Sequence, residues 1–160
     1  MMQLFLFLSG LALVAVSPLA AYELEHGHCS STWYNFRGRC YKYMATRMTW
    51  SDAEHYCVSQ RANLVSVHSE DEHNFVRFLI RSFDPAQGRT WMGLTDIHRE
   101  GRWLWSDGCP ANFFFWSAGE PNNKFNEDCA HFNFGSYRRW NDVPCRLSYS
   151  FVCATSTDCR

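Results

Sequence analysis

The chain has 160 residues, of which 46% are hydrophobic and 17% aromatic, and this length fits one domain with an ordinary core. Its 15 Lys and Arg residues nearly balance its 16 Asp and Glu residues, which gives a formal net charge of −1. This balance excludes the strong positive excess that is typical of nucleic-acid-binding domains. We therefore expect no nucleic-acid partner.

The first 21 residues have the pattern of a secretory signal peptide. An apolar run from Leu4 to Val16 is followed by the small residues Ala20 and Ala21, although no Lys or Arg precedes the run. The run is shorter than the roughly 20 apolar residues that span a membrane, and no basic stop-transfer segment follows it. We expect residues 1–21 to be removed on secretion, with a short extension at 22–28 and no membrane span.

The cysteines all follow this segment: Cys29, Cys40, Cys57, Cys109, Cys129, Cys145, Cys153 and Cys159. An even number of cysteines in a small exported chain indicates a disulfide framework. The sequence has neither the Cys-x-x-Cys pair nor the Cys/His spacing of a structural zinc site. Many connectivities remain possible, so the count alone does not assign the pairs.

The first regular elements are predicted from aromatic residues and a helix cap. The segment from Trp33 to Tyr43 predicts two short strands around an Arg37-Gly38 turn. Thr49 with Asp52 three residues later is a capping arrangement, and it predicts a helix from Trp50 to about Gln60.

A short strand and a second helix follow. The apolar run Leu64–Val67 predicts the strand. Ser69 and Glu72 then form a capping box, and the apolar residues between Phe75 and Ile80 predict a helix with one face in the core. We interpret the aromatic run Phe113–Trp116 as core packing and not as a stacking platform for a ligand. No Gly-x-Ser-x-Gly turn or other catalytic pattern stands out, so we expect no enzyme.

The segment between Glu120 and Asp142 is rich in side-chain oxygens. Its carboxylates and amides include Glu120, Asn122, Asn123, Glu127, Asp128, Asn141 and Asp142. Calcium takes about six to eight oxygen ligands and accepts such a mixture, whereas magnesium keeps most of its waters. Composition alone fits a solvated polar loop equally well. The order of the residues distinguishes the two interpretations.

That order resembles the C-type lectin family, in which Glu-Pro-Asn, Glu-Asp-Cys and Trp-Asn-Asp occur in succession, as at 120–122, 127–129 and 140–142 here. Trp91–Leu94 resembles the family's Trp-Ile-Gly-Leu strand, and 100–108 resembles the segment after it. The resemblance covers residues 29–153 and leaves a tail at 154–160. It implies an α+β fold in which two helices flank small antiparallel sheets, with a long irregular loop region that binds calcium.

The resemblance also implies three disulfides. They are Cys29 with Cys40, Cys57 with Cys153, and Cys129 with Cys145. Cys109 and Cys159 fall outside the family's common pattern. They could pair with each other, or either could join a second subunit and link a homo-oligomer.

The positions that match the family's motifs imply two calcium sites. The ligands of the principal site would be Glu120, Asn122, Glu127, Asn141 and Asp142. Pro121 matches a cis-proline that turns its two neighbours toward one cation. The ligands of an auxiliary site would be Asp96, Glu100, Asn123, Glu127 and Asp128.

These matches imply a secreted, calcium-dependent lectin that binds glycans on cell or microbial surfaces. Within the family, the Glu-Pro-Asn order is the mannose type, and four of the principal ligands also contact the sugar: Glu120, Asn122, Glu127 and Asn141. Two alternatives use the same scaffold. One is an ice-binding antifreeze protein, and the other is a venom-type binder of proteins, although such binders often lack the calcium ligands that are complete here.

Overall fold

The computed structural model describes residues 22–159, so the expected signal peptide lies outside the described residues. The elements in chain order are β1 (Tyr34–Phe36), β2 (Arg39–Met48), α1 (Trp50–Ser59), β3 (Asn63–Leu64), α2 (Glu70–Phe83), β4 (Thr90–Thr95), β5 (Leu104–Trp105), β6 (Cys129–Phe134), β7 (Arg139–Val143) and β8 (Tyr149–Ala154). Neither helix in this range is long and apolar enough to cross a membrane.

The strands form one sheet in the order β1-β2-β8-β4-β6-β7, with β3 beside β8 and β5 beside β4. This arrangement confirms the α+β class, but the strands form one mixed sheet where we expected small antiparallel sheets. The difference arises from one parallel pair, β4 with β8, in which Thr90 is opposite Ser150. A parallel pair needs a long crossover connection. Here the loop region and the β6–β7 hairpin together provide it.

Both helices begin where their caps predict. The Thr49 side chain accepts the N–H of Asp52 at 3.2 Å before α1, and the Ser69 side chain accepts the N–H of Glu72 at 3.1 Å before α2. The end of α1 falls at Ser59, one residue before the predicted boundary. These local hydrogen bonds therefore fix where each helix starts.

The Glu72 carboxylate does not complete the predicted capping box, because it belongs to a buried ionic cluster. Its Oε1 accepts from Nη1 of Arg39 at 2.9 Å and from the Tyr41 hydroxyl at 2.6 Å. Its Oε2 accepts the backbone N–H of His68 at 2.7 Å. Arg39 also approaches the Asp107 carboxylate at 3.4 Å. The cluster joins β2, α2 and the loop after β5, and the sequence did not predict it.

The core lies on both faces of the sheet, because successive strand residues point to opposite sides. Trp91 packs in the cluster beside α1, whereas its neighbour Met92 packs in the cluster beside α2. In the second cluster the buried indole of Trp140 donates to Nδ1 of His73 at 3.1 Å. Burial, followed by the positive charges of Arg77 and Arg139, lowers the pKa of His73 to about 3. His73 is thus a neutral acceptor in the core.

The strand predicted at Leu64–Val67 pairs regularly only as far as Leu64, yet its extended course continues. The N–H of Val65 donates to the carbonyl of Val152 at 2.8 Å, and the N–H of Gly93 donates to the carbonyl of Val65 at 2.9 Å. A Cβ on Gly93 would lie 2.6 Å from the carbonyl oxygen of Leu64. This close approach requires glycine in the middle of β4.

All cysteines are paired within the chain. The bridges are Cys29–Cys40, Cys57–Cys153, Cys109–Cys159 and Cys129–Cys145. The first, second and fourth are those that the family resemblance implies. Of the two alternatives for Cys109 and Cys159, the third bridge confirms the pairing with each other. A disulfide to a second subunit is wrong, because residues 22–159 contain no free cysteine. Before the tail leaves the sheet, the Thr155 N–H donates to the Cys40 carbonyl at 2.9 Å, which extends the pairing of β8 with β2 by one residue.

Candidate functional site

A buried carboxylate of β7 helps to anchor the long loop between β5 and β6. The peptide bond between Glu120 and Pro121 is cis. Directly after it, Asp142 accepts two backbone N–H groups, from Asn122 to Oδ1 at 3.1 Å and from Asn123 to Oδ2 at 2.8 Å. Asp142 is fully buried. The predicted motifs 120–122 and 140–142 therefore meet at this residue.

The next part of the loop is held in a turn by two amide side chains, which accept backbone N–H groups of the loop. Oδ1 of Asn122 accepts the N–H of Lys124 at 2.9 Å, and Oδ1 of Asn123 accepts the N–H of Glu127 at 2.9 Å. The second contact closes a turn of four residues, with Asn123 in the left-handed region at φ 50°. Phe125, at the tip of this turn, is 87% exposed. The turn brings Glu127 near Asp142.

Two side-chain oxygens at the centre of this arrangement are buried without a hydrogen-bond partner among the described residues. They are Oε2 of Glu120 and Oδ1 of Asn141. Leaving a buried acceptor unsatisfied costs about 1–3 kcal/mol, and more if the group is charged. A hard cation coordinated by both oxygens would remove this cost, and both belong to the ligand set that the sequence implies. The donor set therefore fits calcium.

The carboxylates around these oxygens repel one another. Burial, followed by the neighbouring Asp142 and Glu127 carboxylates, raises the pKa of Glu120. Burial and then Asp142 likewise raise the pKa of Glu127, while Lys124 opposes the rise. Each shift means that the protein disfavours the negative charge. A bound cation would reverse that preference, because it supplies the opposite charge.

A second acidic cluster lies where β4 ends. Oxygens of Asp96, Glu100 and Asp128 all lie within 4.8 Å of one another. Oδ2 of Asp96 accepts the N–H of Gly101 at 2.8 Å, whereas its buried Oδ1 has no partner in the range 22–159. Burial, and also the Asp128 charge, raise the pKa of Asp96, although the Gly101 N–H opposes the rise. The structure thus brings together three of the residues predicted for the auxiliary site.

The aromatic run Phe113–Trp116, in the first half of the loop, packs largely as the sequence predicts. The rings of Phe113 and Trp116 lie 5.8 and 6.0 Å from the ring of Trp140. Phe114 is the exception, since 41% of it is exposed. The Trp140 carbonyl also accepts the N–H of Ser117 at 2.8 Å. This contact fixes Ser117 of the loop beside β7, next to Asn141.

Ser66, His68 and Asp107 also meet, but not as a catalytic triad. Nε2 of His68 lies 2.9 Å from Oγ of Ser66. The Ser66 hydroxyl donates to Asp107, so the acid orients the serine and not the histidine. Ser66 is fully buried. The arrangement offers no accessible nucleophile and belongs to the ionic cluster around Arg39.

Comparison with known proteins places this fold and loop in one class, the lectin C-type domain, which matches residues 46–155. The chain is 40% identical over 151 residues to the lactose-binding lectin l-2 of Anguilla japonica, with 91% of this chain and 88% of that protein covered. It is 36% identical over 149 residues to a C-type lectin mannose-binding isoform of Oxyuranus scutellatus, with 88% and 94% covered.

Among solved structures, the herring type II antifreeze protein is similar with a TM-score of 0.75 and 33% identity, and the match covers 81% of this chain and 100% of that one. The chain therefore belongs to the C-type lectin family. This confirms the resemblance noted in the sequence. Membership makes the chain a non-enzymatic binding protein.

Proposed function

We propose that this chain is a secreted, calcium-dependent lectin of mannose-type specificity. The observation that supports the proposal best is the pair of buried oxygens without partners, Oε2 of Glu120 and Oδ1 of Asn141. They come from two distant segments of the chain and belong to the same implied ligand set. The proposal includes removal of residues 1–21, the extension 22–28, the lectin domain 29–153 and the tail 154–160.

The principal site is proposed to hold calcium through side chains from the loop and from β7. These ligands are Glu120, Asn122, Glu127, Asn141 and Asp142. Calcium supplies a positive charge that attracts lone pairs of two neighbouring sugar hydroxyls. The carboxylates of Glu120 and Glu127 accept hydrogen bonds from those hydroxyls. The amides of Asn122 and Asn141 donate hydrogen bonds to the hydroxyl oxygens. Ionised acceptors make such hydrogen bonds strong.

The mannose assignment depends on the order of Glu120 and Asn122 around Pro121. Galactose-type members of the family usually have Gln-Pro-Asp at these positions, which reverses the carboxylate and the amide. Of the two relatives described above, one is named as lactose-binding and the other as mannose-binding. Family membership alone therefore does not select the sugar, and the local motif supports the choice.

The auxiliary site is proposed to stabilise the loop and not to contact the sugar. Its ligands would be Asp96, Glu100, Asn123, Glu127 and Asp128. The short distances among the oxygens of Asp96, Glu100 and Asp128 support this assignment. Glu127 would belong to both sites, so filling the second site would hold Glu127 in place for the first.

A glycan array with calcium and with EDTA tests the proposal. We expect mannose-type glycans to bind with calcium and to be released by EDTA. The array should be dense, because one shallow site binds a monosaccharide weakly and several sites together give avidity. Retention of mannose glycans in EDTA, or binding of galactose glycans alone, would contradict the proposal.

Ice binding is the second candidate, and it is supported by the similarity to the herring antifreeze protein. The discriminating measurement is thermal hysteresis of the purified protein with and without calcium. Thermal hysteresis without binding to any glycan on the array would contradict the lectin proposal and support ice binding. A blank result in both assays would favour a protein ligand.

A further inference from the structure

A cavity lies beside α2, outside the loop that carries the implied calcium ligands. It has a volume of about 230 Å³. Its lining consists of Tyr22, Asn74, Arg77, Phe78, Arg81 and Gln87. None of these residues belongs to either implied calcium site.

Two arginines, Arg77 and Arg81, line this cavity, and a third, Arg138, bonds the Gln87 backbone beside it. Nη2 of Arg77 donates to Oε1 of Gln87 at 3.3 Å, and Nη1 of Arg138, from the β6–β7 turn, donates to the backbone carbonyl of Gln87 at 3.1 Å. Burial, followed by the charges of Arg138 and Arg81, lowers the pKa of Arg77. Within residues 22–159, no ion pair joins any of the three to a carboxylate. The three guanidinium groups therefore have no directly paired carboxylate, although the charges of Asp71 and Glu70 act on Tyr22 in the lining.

One of these cations also has an unused donor. Nε of Arg77 is buried and has no hydrogen-bond acceptor among the described residues. An arginine fork prefers an oxyanion that accepts two parallel N–H groups, as sulfate and phosphate do. An oxyanion in the cavity would supply both the missing acceptor and the missing negative charge.

The lining of the cavity includes two aromatic rings. The rings of Tyr22 and Phe78 lie 5.9 Å apart, and the guanidinium carbon of Arg81 lies 6.0 Å from the centre of the Phe78 ring. The amides of Asn74 and Gln87 complete the lining. A free sulfate or phosphate ion would contact the guanidinium groups but would have no use for the aromatic rings. A sulfated sugar also presents an apolar ring face and hydroxyl groups, which match the aromatic rings and the amides.

We propose that this arginine-lined cavity binds a sulfate ester of an acidic saccharide, independently of calcium. The separation of the two sites supports the independence. The loop with Gln87 precedes β4, whereas the acidic cluster with Asp96 follows it. The six residues of β4 place its ends about 17 Å apart. The cavity is therefore separate from the acidic cluster at the other end of β4.

The test is binding of a sulfated heparin oligosaccharide in EDTA, measured by calorimetry beside its desulfated counterpart. The variant Arg77→Gln/Arg81→Gln removes two of the cations. The control Arg47→Gln/Arg146→Gln removes the same charge from two exposed positions elsewhere. We expect the first pair to weaken affinity about tenfold or more, because each lost charged hydrogen bond is costly, and we expect the control to bind like the wild type. The single change Arg81→Gln, at an exposed residue, should weaken binding without affecting the fold.

Three results would overturn the proposal. They are no binding of the sulfated oligosaccharide, equal binding of the desulfated one, and equal loss in the control pair. Binding of vesicles that contain a phosphoinositide, without binding of the oligosaccharide, would assign the cavity to a lipid headgroup and also overturn it. All arms contain EDTA, so they are independent of the mannose assay. Failure of one proposal is thus distinguishable from failure of the other.

Discussion

Oδ2 of Asp142 accepts the backbone N–H of Asn123 at 2.8 Å, so a buried acid of β7 fixes the residue at which the loop turns left-handed. The same carboxylate accepts the N–H of Asn122 through Oδ1 at 3.1 Å. Asp142 therefore has two roles. It anchors the loop, and it is one of the implied calcium ligands. Its replacement tests both.

We predict that Asp142→Asn lowers calcium affinity by about tenfold or more, since it removes a charge and an acceptor from the site. The new amide cannot accept both loop N–H groups, so the loop should also become mobile. Asp71→Asn is a matched control, because it removes the same charge from an exposed ion pair with Arg37. Calcium titration calorimetry measures the change. Equal affinity in the two variants would show that Asp142 is not a ligand.

We predict that calcium raises the melting temperature. A ligand that binds only the folded state at 100 times its Kd stabilises that state by about 2.7 kcal/mol. For a domain of this size the shift is roughly 8 °C. Thermal melts with calcium, with EDTA and with magnesium measure it. Equal melting temperatures in calcium and EDTA would contradict a calcium site in this fold.

The pH dependence of the calcium-free protein tests the raised pKa values of Glu120 and Glu127. A raised pKa means that the folded state binds protons more readily than the unfolded state between the ordinary and the raised value. The contribution of these groups to the free energy of unfolding therefore falls as pH rises through that window. We expect Glu120→Gln/Glu127→Gln in EDTA to gain stability relative to wild type as pH rises from about 4.5 to neutrality.

Denaturant melts across this pH range measure that difference. His73 and His131, whose pKa values burial lowers to about 3 and about 4, act in the opposite direction on acidification. They are present in both proteins, so their effect cancels in the comparison. A difference that does not vary with pH would contradict repulsion within the acidic cluster.

We predict that Glu120→Gln combined with Asn122→Asp moves preference from mannose toward galactose. The pair conserves net charge and nearly conserves volume, but it reverses the donor and the acceptor around the bound hydroxyls. Calcium affinity should change little, because an oxygen remains at both positions. Competition with free mannose and free galactose measures the preference. An unchanged mannose preference with calcium bound would show that these two residues do not set specificity.

We predict that the wild type and Cys109→Ser/Cys159→Ser both migrate as monomers on a non-reducing gel. The Cys109–Cys159 bridge spans 50 residues, and a loop of this length stabilises a fold by about 4 kcal/mol on the chain-entropy model. The double variant should therefore melt at a lower temperature. A dimer band that the double variant loses would contradict the intrachain bridge.

The features that the sequence predicted well depend on local contacts. Thr49 and Ser69 cap the first turns of their own helices, so a few neighbouring residues contain the whole signal. The loop motifs around Glu120 and Asp142 were predicted through family resemblance, and the structure brings them together. Composition alone did not distinguish these acids from a solvated loop.

The missed features join residues that are far apart in the chain. Arg39 contacts Glu72 and Asp107, and no periodic pattern links those positions. Arg77 and Arg138 meet only because the β6–β7 turn folds onto the loop before β4. The parallel pairing of β4 with β8 likewise depends on how the intervening chain crosses over. Only the tertiary structure contains this information.

The contact between the loop and Trp140 has a consequence for solubility. β7 is the last strand of the sheet, and the Trp140 backbone bonds Phe115 and Ser117 of the loop on its outer side. An uncovered strand edge is a template for pairing with another chain. If calcium holds the loop as proposed, chelation would loosen it and uncover this edge, and we expect storage without calcium to favour aggregation through β7. The opposite edge, β1, has only three residues and offers a neighbouring chain little to pair with.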